Sequence, residues 1–195
     1  MIIDDFNVLS EHYNALTRYQ SLLFKWNKSI NLISKASEHN FWERHIKDSL
    51  QLLTYIDRTK SVVDIGSGAG LPGLILSIGG VLNVTLVECN SRKSTFLREA
   101  SKLSPNRVTI IEKRLDSNFR GSYDILTCRG LSKINIILSL TSSLNIGKIL
   151  LLKGKSYDQE IYEARKNHWL FDLAIHNSVT GSGKIIEISN IRKSI

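Results

Sequence analysis

Apolar and aromatic residues recur every three or four positions from Phe6 through Leu9, Tyr13, Leu16, Tyr19, Leu23 and Trp26, which places them along one side of a helix. A polar link containing Asn31, Ser34 and Ser37 follows, and the same spacing resumes from about Glu38 through Phe41, Ile46, Leu50, Leu53 and Ile56. The first sixty residues therefore read as helical. At Ser61 the texture changes: Val62, Val63 and Ile65 form a short apolar run that ends in a glycine cluster, and a second run, Val81 to Val87, follows after a helix-length gap. The alternation continues with a helix over Thr95 to Leu103, strands over Val108 to Ile111 and Tyr123 to Thr127, a helix over Lys133 to Leu144 and a strand over Ile149 to Leu152. Leu173 to Val179 and Lys184 to Ser189 flank Gly181, Ser182 and Gly183, the pattern of a hairpin. Strands alternating with helices predict an α/β fold, a mainly parallel sheet covered on both faces with an antiparallel pair closing it.

With 195 residues and 42% hydrophobic content, the chain suits a single domain, 1–195, in which a helical N-terminal extension (1–60) precedes an α/β core (61–195). Lys and Arg number 26 against 18 Asp and Glu, and the net charge of +8 favours a polyanionic partner without choosing among RNA, DNA and an acidic membrane. The start, Met1 to Phe6, carries Asp4 and Asp5 rather than a basic and then apolar run, and the apolar stretch Ile134 to Leu152 is interrupted by Asn135, Asn145, Gly147 and Lys148. The expectation is a cytoplasmic protein without a membrane span. Cys89 and Cys128 lack metal-ligand spacing and read as reduced thiols.

The densest chemical signal is Asp64-Ile65-Gly66-Ser67-Gly68-Ala69-Gly70-Leu71-Pro72-Gly73, set where the first strand turns into a helix. Glycines there allow conformations closed to other residues and let a ligand approach the main chain, while Pro72 suits a first helical turn. Glu88 stands at the end of the second strand, about 20 residues on, where a carboxylate takes the ribose hydroxyls of an adenosine. Gly68, Gly70 and Gly73 also satisfy the dinucleotide pattern, so a nicotinamide-dependent oxidoreductase is one alternative. Its only trace of a hydride-transfer site is Tyr162 and Lys166, in a polar stretch. Asp64 at the strand tip suits a cationic ligand such as S-adenosylmethionine, which has no pyrophosphate. A non-catalytic RNA-binding module is the other alternative.

Several further motifs carry a resemblance: W-N-K-x-x-N-L at Trp26 to Leu32, R-H-I-x-D-S at Arg44 to Ser49, D-I-G-x-G-x-G-L-P-G at Asp64 to Gly73, Cys128 to Arg129, and L-K-G at Leu152 to Gly154. In order and separation the chain resembles the 16S ribosomal RNA guanine-N7 methyltransferase family, historically called glucose-inhibited division protein B. The resemblance implies a Rossmann-like class I methyltransferase with a seven-stranded sheet, S-adenosylmethionine as cofactor, and methylation of guanine N7 in the decoding region of the small ribosomal subunit. It implies that Gly66 and Leu71 contact the cofactor, that Gly68 and Gly70 shape the turn, that Leu115 and Asp116 lie against adenine, and that Arg129 is a cofactor-site arginine. Ala69, Gly130, Leu131 and the segment Ser182 to Lys184 depart from the family pattern, the last two regions near the substrate.

On its own, Arg129 reads equally as a salt-bridge partner of Asp64 or Asp116. His45 and Asp48, three apart on a helix, read as a surface pair or a packing histidine with a structural or RNA-facing role. Lys28, Arg44, His45, Lys153 and Lys155 are candidate RNA contacts, while Trp26 continues the apolar stripe. N7 of guanine carries a free lone pair, so neither a general base nor a metal is expected. A monomer is expected, with 16S ribosomal RNA or the small subunit as partner.

Overall fold

The computed structural model describes residues 10–116, 118–181 and 183–194; Phe6 and Leu9 of the predicted first helix, and Ser182 of the hairpin turn, lie outside the described residues. Seven strands form one sheet: β1 (Ser61–Ile65), β2 (Asn83–Glu88), β3 (Arg107–Glu112), β4 (Ser122–Arg129), β5 (Asn145–Lys153), β6 (Trp169–Asn177) and β7 (Lys184–Lys193), in the order β3-β2-β1-β4-β5-β7-β6. The first five are parallel, and β7 runs antiparallel to both β5 and β6. The order reverses between β1 and β4, which opens a crevice at their carboxyl ends, the general ligand site of such sheets.

Helices α1 (Ser10–Asn27), α2 (Lys35–Glu38), α3 (Asp48–Leu50), α4 (Gly73–Ile78) and α5 (Ser91–Ala100) belong to one side, with α6 (Ile134–Leu140) and α7 (Tyr157–Lys166) on the other. The predicted stripe of α1 is the buried one: Leu16, Tyr19 and Leu23 are fully buried beside Phe41, Ile46, Leu74 and Phe96. Trp26 is half-buried, edge-on to Phe96 at 5.8 Å between ring centroids.

The second predicted helix is not one helix. After α2 the chain forms a π-helical turn over Trp42–Lys47, then α3, then a 3₁₀ turn over Gln51–Tyr55. The wider turn adds a residue per turn and so re-aims the side chains that a regular helix would set on one face. The helix predicted over Lys133 to Leu144 ends at Leu140, where hydroxyls turn back on the backbone: Thr141 Oγ1 donates to the Ile137 carbonyl and Ser142 Oγ to that of Ser139. Helix α7 was not expected from the pattern; only Ile161 and Ala164 of its ten residues are buried, too few to show a period. Tyr162 is exposed on α7.

Candidate functional site

The glycine turn runs from the tip of β1 into α4. Gly66, Gly68 and Gly70 all have positive φ, 65°, 55° and 85°. A Cβ on Gly66 would stand 2.6 Å from the Leu131 side chain, so the loop after β4 lies directly on the turn. The turn is fixed by Gly66 and Ser67 N–H groups donating to the Val87 carbonyl at 2.9 and 3.1 Å, and by Gly70 N–H donating to Ser67. Leu71 is buried in the core, so only its backbone faces the turn.

Glu88 closes the other side. Its Oε2 accepts from Gly68 N–H and its Oε1 from Asn90 N–H, both at 2.8 Å, which holds the carboxylate at the β2 terminus with lone pairs on each oxygen to spare. That arrangement fits the two hydroxyls of a ribose. It fits a pyrophosphate poorly, because the loop donors Gly66, Gly68 and Gly70 N–H are already spent on the Val87 carbonyl, Glu88 and the Ser67 carbonyl.

Asp64 is fully buried beneath the turn. Thr127 donates to its Oδ1 at 2.9 Å, Ser67 Oγ donates to its backbone carbonyl, and its Oδ2 is buried without a hydrogen-bond partner. Burial pushes its carboxyl up to about 7, against the lowering effect of Thr127 and Arg129. Tyr19 donates its hydroxyl to the Ala69 carbonyl at 2.6 Å, tying α1 to the turn. Leu115 is half-buried and Asp116 exposed in the loop after β3; Asp116 Oδ1 accepts from Asn118 N–H.

Arg129, at the end of β4, meets neither Asp64 nor Asp116. Its Nη1 donates to the Arg44 carbonyl at 2.9 Å and to Asp48 Oδ2 at 3.3 Å, and its Nη2 lies 2.9 Å from His45 Nδ1. Of the two readings of this pair, a surface pair or a packing histidine, the structure has the second: His45 is 8% exposed, edge-on to Phe41, drawn inward onto Arg129 by the π-helical turn. Burial, then Arg129 and Arg44, lower His45 to about 3, so the imidazole is neutral. Burial raises the Asp48 carboxyl while Arg129 and hydrogen bonds draw it back. Asp48 Oδ1 also accepts from Gln51 Nε2 at 2.8 Å, and Gln51 holds the hairpin turn through Ser178 Oγ and Val179 N–H.

Arg44, His45, Asp48, Arg129 and Ser178 line a cleft of about 600 Å³ between the π-helical turn, the ends of β4 and β5, and the β6–β7 turn. Arg44 is exposed on its rim. Lys153 also reaches the cleft, but its ammonium is spent on Glu160 at 2.7 Å and the Ser132 carbonyl at 2.6 Å, which anchors the loop after β4 rather than offering a charge to phosphate. Lys155 is exposed just beyond Gly154. Lys28 lies elsewhere, in a second groove with Asn31 and Lys35. There Asn27 organises the W-N-K-x-x-N-L segment: its Nδ2 donates to the Ile33 carbonyl and Glu38, and its Oδ1 accepts from Leu32 and Ile33 N–H. Among the described residues no cluster of three or more His, Cys, Asp or Glu could hold a metal ion, and no helix is long and apolar enough to cross a membrane. Cys128 is buried, which pushes its thiol up to about 12, and Cys89 is exposed; both are free.

The sheet order, the glycine turn and the carboxylate at the end of β2 define a Rossmann-like class I methyltransferase. Solved structures share the fold: magnesium protoporphyrin IX methyltransferase from Synechocystis with bound S-adenosylmethionine superposes with a TM-score of 0.59 at 15% identity, over 94% of this chain and 98% of that one. TrmK from M. capricolum, in complex with S-adenosylhomocysteine, gives 0.53 at 14% identity over 75% and 69%. The family model described as rRNA small subunit methyltransferase G matches residues 12–188. Two proteins of that name, from Rickettsia prowazekii and Rickettsia felis, are 51% and 52% identical over 96% and 95% of this chain and 99% and 97% of their own length. The chain belongs to the family of the small-subunit ribosomal RNA methyltransferase G.

Proposed function

We infer that the protein moves a methyl group from S-adenosylmethionine to N7 of a guanine in the decoding region of 16S ribosomal RNA. The observation that carries this reading is Glu88 seated on the glycine turn at the switch point of the sheet. With ribose at Glu88 on β2 and adenine toward Leu115 and Asp116 after β3, the remaining direction for the reactive end is across Gly66 toward β4. The crevice beyond β4, with Arg129 and Arg44, is then the substrate side. Gly66, Gly68 and Gly70 supply close main-chain approach, Leu71 contributes only backbone, and Arg129 stands where the two halves meet.

The bound cofactor supplies an electrophilic methyl on a sulfonium. Because N7 presents a lone pair, the protein's part is to hold the acceptor in line and keep water out; well-oriented reactants supply roughly 7–11 kcal/mol of a barrier. Neutral His45, hydrogen-bonded through Nδ1, is not placed as a general base. Both the small-subunit particle as substrate and a cytoplasmic monomer as the working state belong to this proposal. The family membership and the occupied loop donors disfavour the nicotinamide reading, and Tyr162 lies outside the cleft.

The test is transfer of labelled methyl from S-adenosylmethionine to small-subunit particles lacking the modification, followed by nucleoside analysis. The expected result is label in 7-methylguanosine, strongly reduced by Arg129→Ala. Label in another nucleoside, or in none while the cofactor still binds, would refute the assigned target.

A further inference from the structure

The cluster around Arg129 has an unusual composition for an arginine of which only a fifth of the side chain is exposed. A guanidinium in such a place is commonly met by a carboxylate in bidentate fashion. Here one carboxylate oxygen, one backbone carbonyl and one imidazole nitrogen share it. A guanidinium only donates, so His45 Nδ1 must accept and the imidazole proton must sit on Nε2. The imidazole therefore fixes the direction of Nη2 without adding a negative charge.

The charges nearby do not cancel. Arg129 pairs with one carboxylate, Asp48, which Gln51 and Thr180 also engage, and Arg44 lines the same cleft. Of the other acids of this region, Glu43 pairs with Lys47 at 3.2 Å and Glu160 with Lys153, while Asp64, buried beneath the turn, makes no contact with Arg129 and has its carboxyl raised by burial to about 7. The cluster keeps a positive charge in excess, next to the crevice where the cofactor and the substrate meet. His45 Nε2 is itself buried without a hydrogen-bond partner, a cost the fold bears to keep an uncharged acceptor at this point.

We propose that His45 is a positioning residue: it orients the Arg129 guanidinium toward an oxyanion while leaving its positive charge uncompensated. This rests on the reading of Arg129 as part of the methyl-transfer site. Two oxyanions reach such a place, the carboxylate at the amino-acid end of the cofactor and a phosphate beside the target base.

Calorimetry and initial rates separate them. Wild type, Arg129→Ala and His45→Glu are titrated with S-adenosylhomocysteine and with 5′-methylthioadenosine, which lacks the carboxylate, and are assayed on small-subunit particles across a salt series. His45→Glu keeps an acceptor near Arg129 but supplies the second negative charge. If the anion is the cofactor carboxylate, both variants weaken S-adenosylhomocysteine roughly ten- to hundredfold, the size of one charge-assisted hydrogen bond, and leave methylthioadenosine unchanged. If it is a phosphate, cofactor affinity holds, KM for particles rises, and the log–log salt slope becomes shallower by about 0.7. The proposal is overturned if His45→Glu matches wild type in every arm while Arg129→Ala does not, or if neither variant changes cofactor affinity, the KM for particles or the salt slope. Loss of methylthioadenosine binding by the wild type would instead refute the adenosine site itself. Because the glutamate variant can fail to fold, wild-type His45 is also observed directly by nitrogen-15 NMR. The expected signal is a neutral imidazole with its proton on Nε2, unchanged from pH 5 to 8; a proton on Nδ1, or titration in that range, would also overturn the proposal.

Discussion

Asp64 and His45 are buried ionisable side chains whose charged forms the fold disfavours, and they push stability in opposite directions with pH. Asp64 is raised to about 7, so the folded protein binds its proton more tightly than the unfolded chain does. Its contribution favours folding at low pH and is lost as pH climbs from about 4 to 7. His45 is lowered to about 3, so the unfolded chain takes up a proton that the fold refuses. Its contribution is fully present above about 6.5 and is lost as pH falls toward 3. The two trends overlap between about pH 4 and 6.5 and partly cancel there. Chemical denaturation across that window is expected to show Asp64→Asn losing stability more steeply on acidification than wild type, and His45→Gln losing it less steeply. Parallel curves for all three proteins would mean that neither group carries the shift.

Residue by residue, the sequence exposed what depends on local spacing and hid what depends on a third partner. Glu88 was legible because the sheet places the end of β2 beside the turn, and Gly68 N–H donates to it as that topology requires. Arg129 was legible as a site residue, but its partners, Asp48, His45 and the Arg44 carbonyl, lie over 80 positions earlier in the chain and come from a segment whose helical period breaks. Lys153 looked like a free cation because Glu160 belongs to a helix with almost no apolar signal.

Among the elements, the segment between α1 and α2 shows how one side chain can replace a secondary structure. Residues 28–33 form neither helix nor strand; after Ser29 and Ile30 N–H donate to the Trp26 carbonyl, Asn27 provides four bonds, two donated and two accepted, that fix the chain between the helices. At a net value of about 1 kcal/mol each, with an added cost for the N–H groups left without an acceptor, Asn27→Ala should lower stability by roughly 2–4 kcal/mol. Because this groove is separate from the Arg129 cleft, affinity for S-adenosylhomocysteine should be unchanged. A denaturant midpoint equal to wild type would refute the capping role; a weaker cofactor would show that the two regions are coupled. The W-N-K-x-x-N-L motif was legible as a pattern, yet its meaning was not, since an asparagine's four hydrogen-bonding positions leave no periodic trace.

On the scale of the whole molecule, residues 10–60 are a wall of the core rather than an addition to it. The α/β part alone accounts for the parallel sheet, and its strands read clearly as short apolar runs between turns. Yet Leu16, Tyr19, Leu23, Phe41, Ile46 and Leu50 are at most 2% exposed and share one cluster with Leu74, Leu76 and Phe96. Burying a large apolar side chain contributes roughly 1.5–3 kcal/mol, so these positions together are worth on the order of 10 kcal/mol. A domain's total stability is about 5–15 kcal/mol, and removing the segment would also expose the faces of α4 and α5. The same segment carries Arg44, His45 and Asp48, so it builds the Arg129 cluster as well as the core. A chain beginning at Ser61 is therefore expected to lack a cooperative thermal transition and to bind a hydrophobic dye strongly. Adding residues 1–60 as a separate peptide should restore both cofactor binding and the transition if the interface alone is missing. A truncated chain that melts cooperatively and binds S-adenosylhomocysteine like the full one would show that the helices are an appendage and that the α/β core stands by itself.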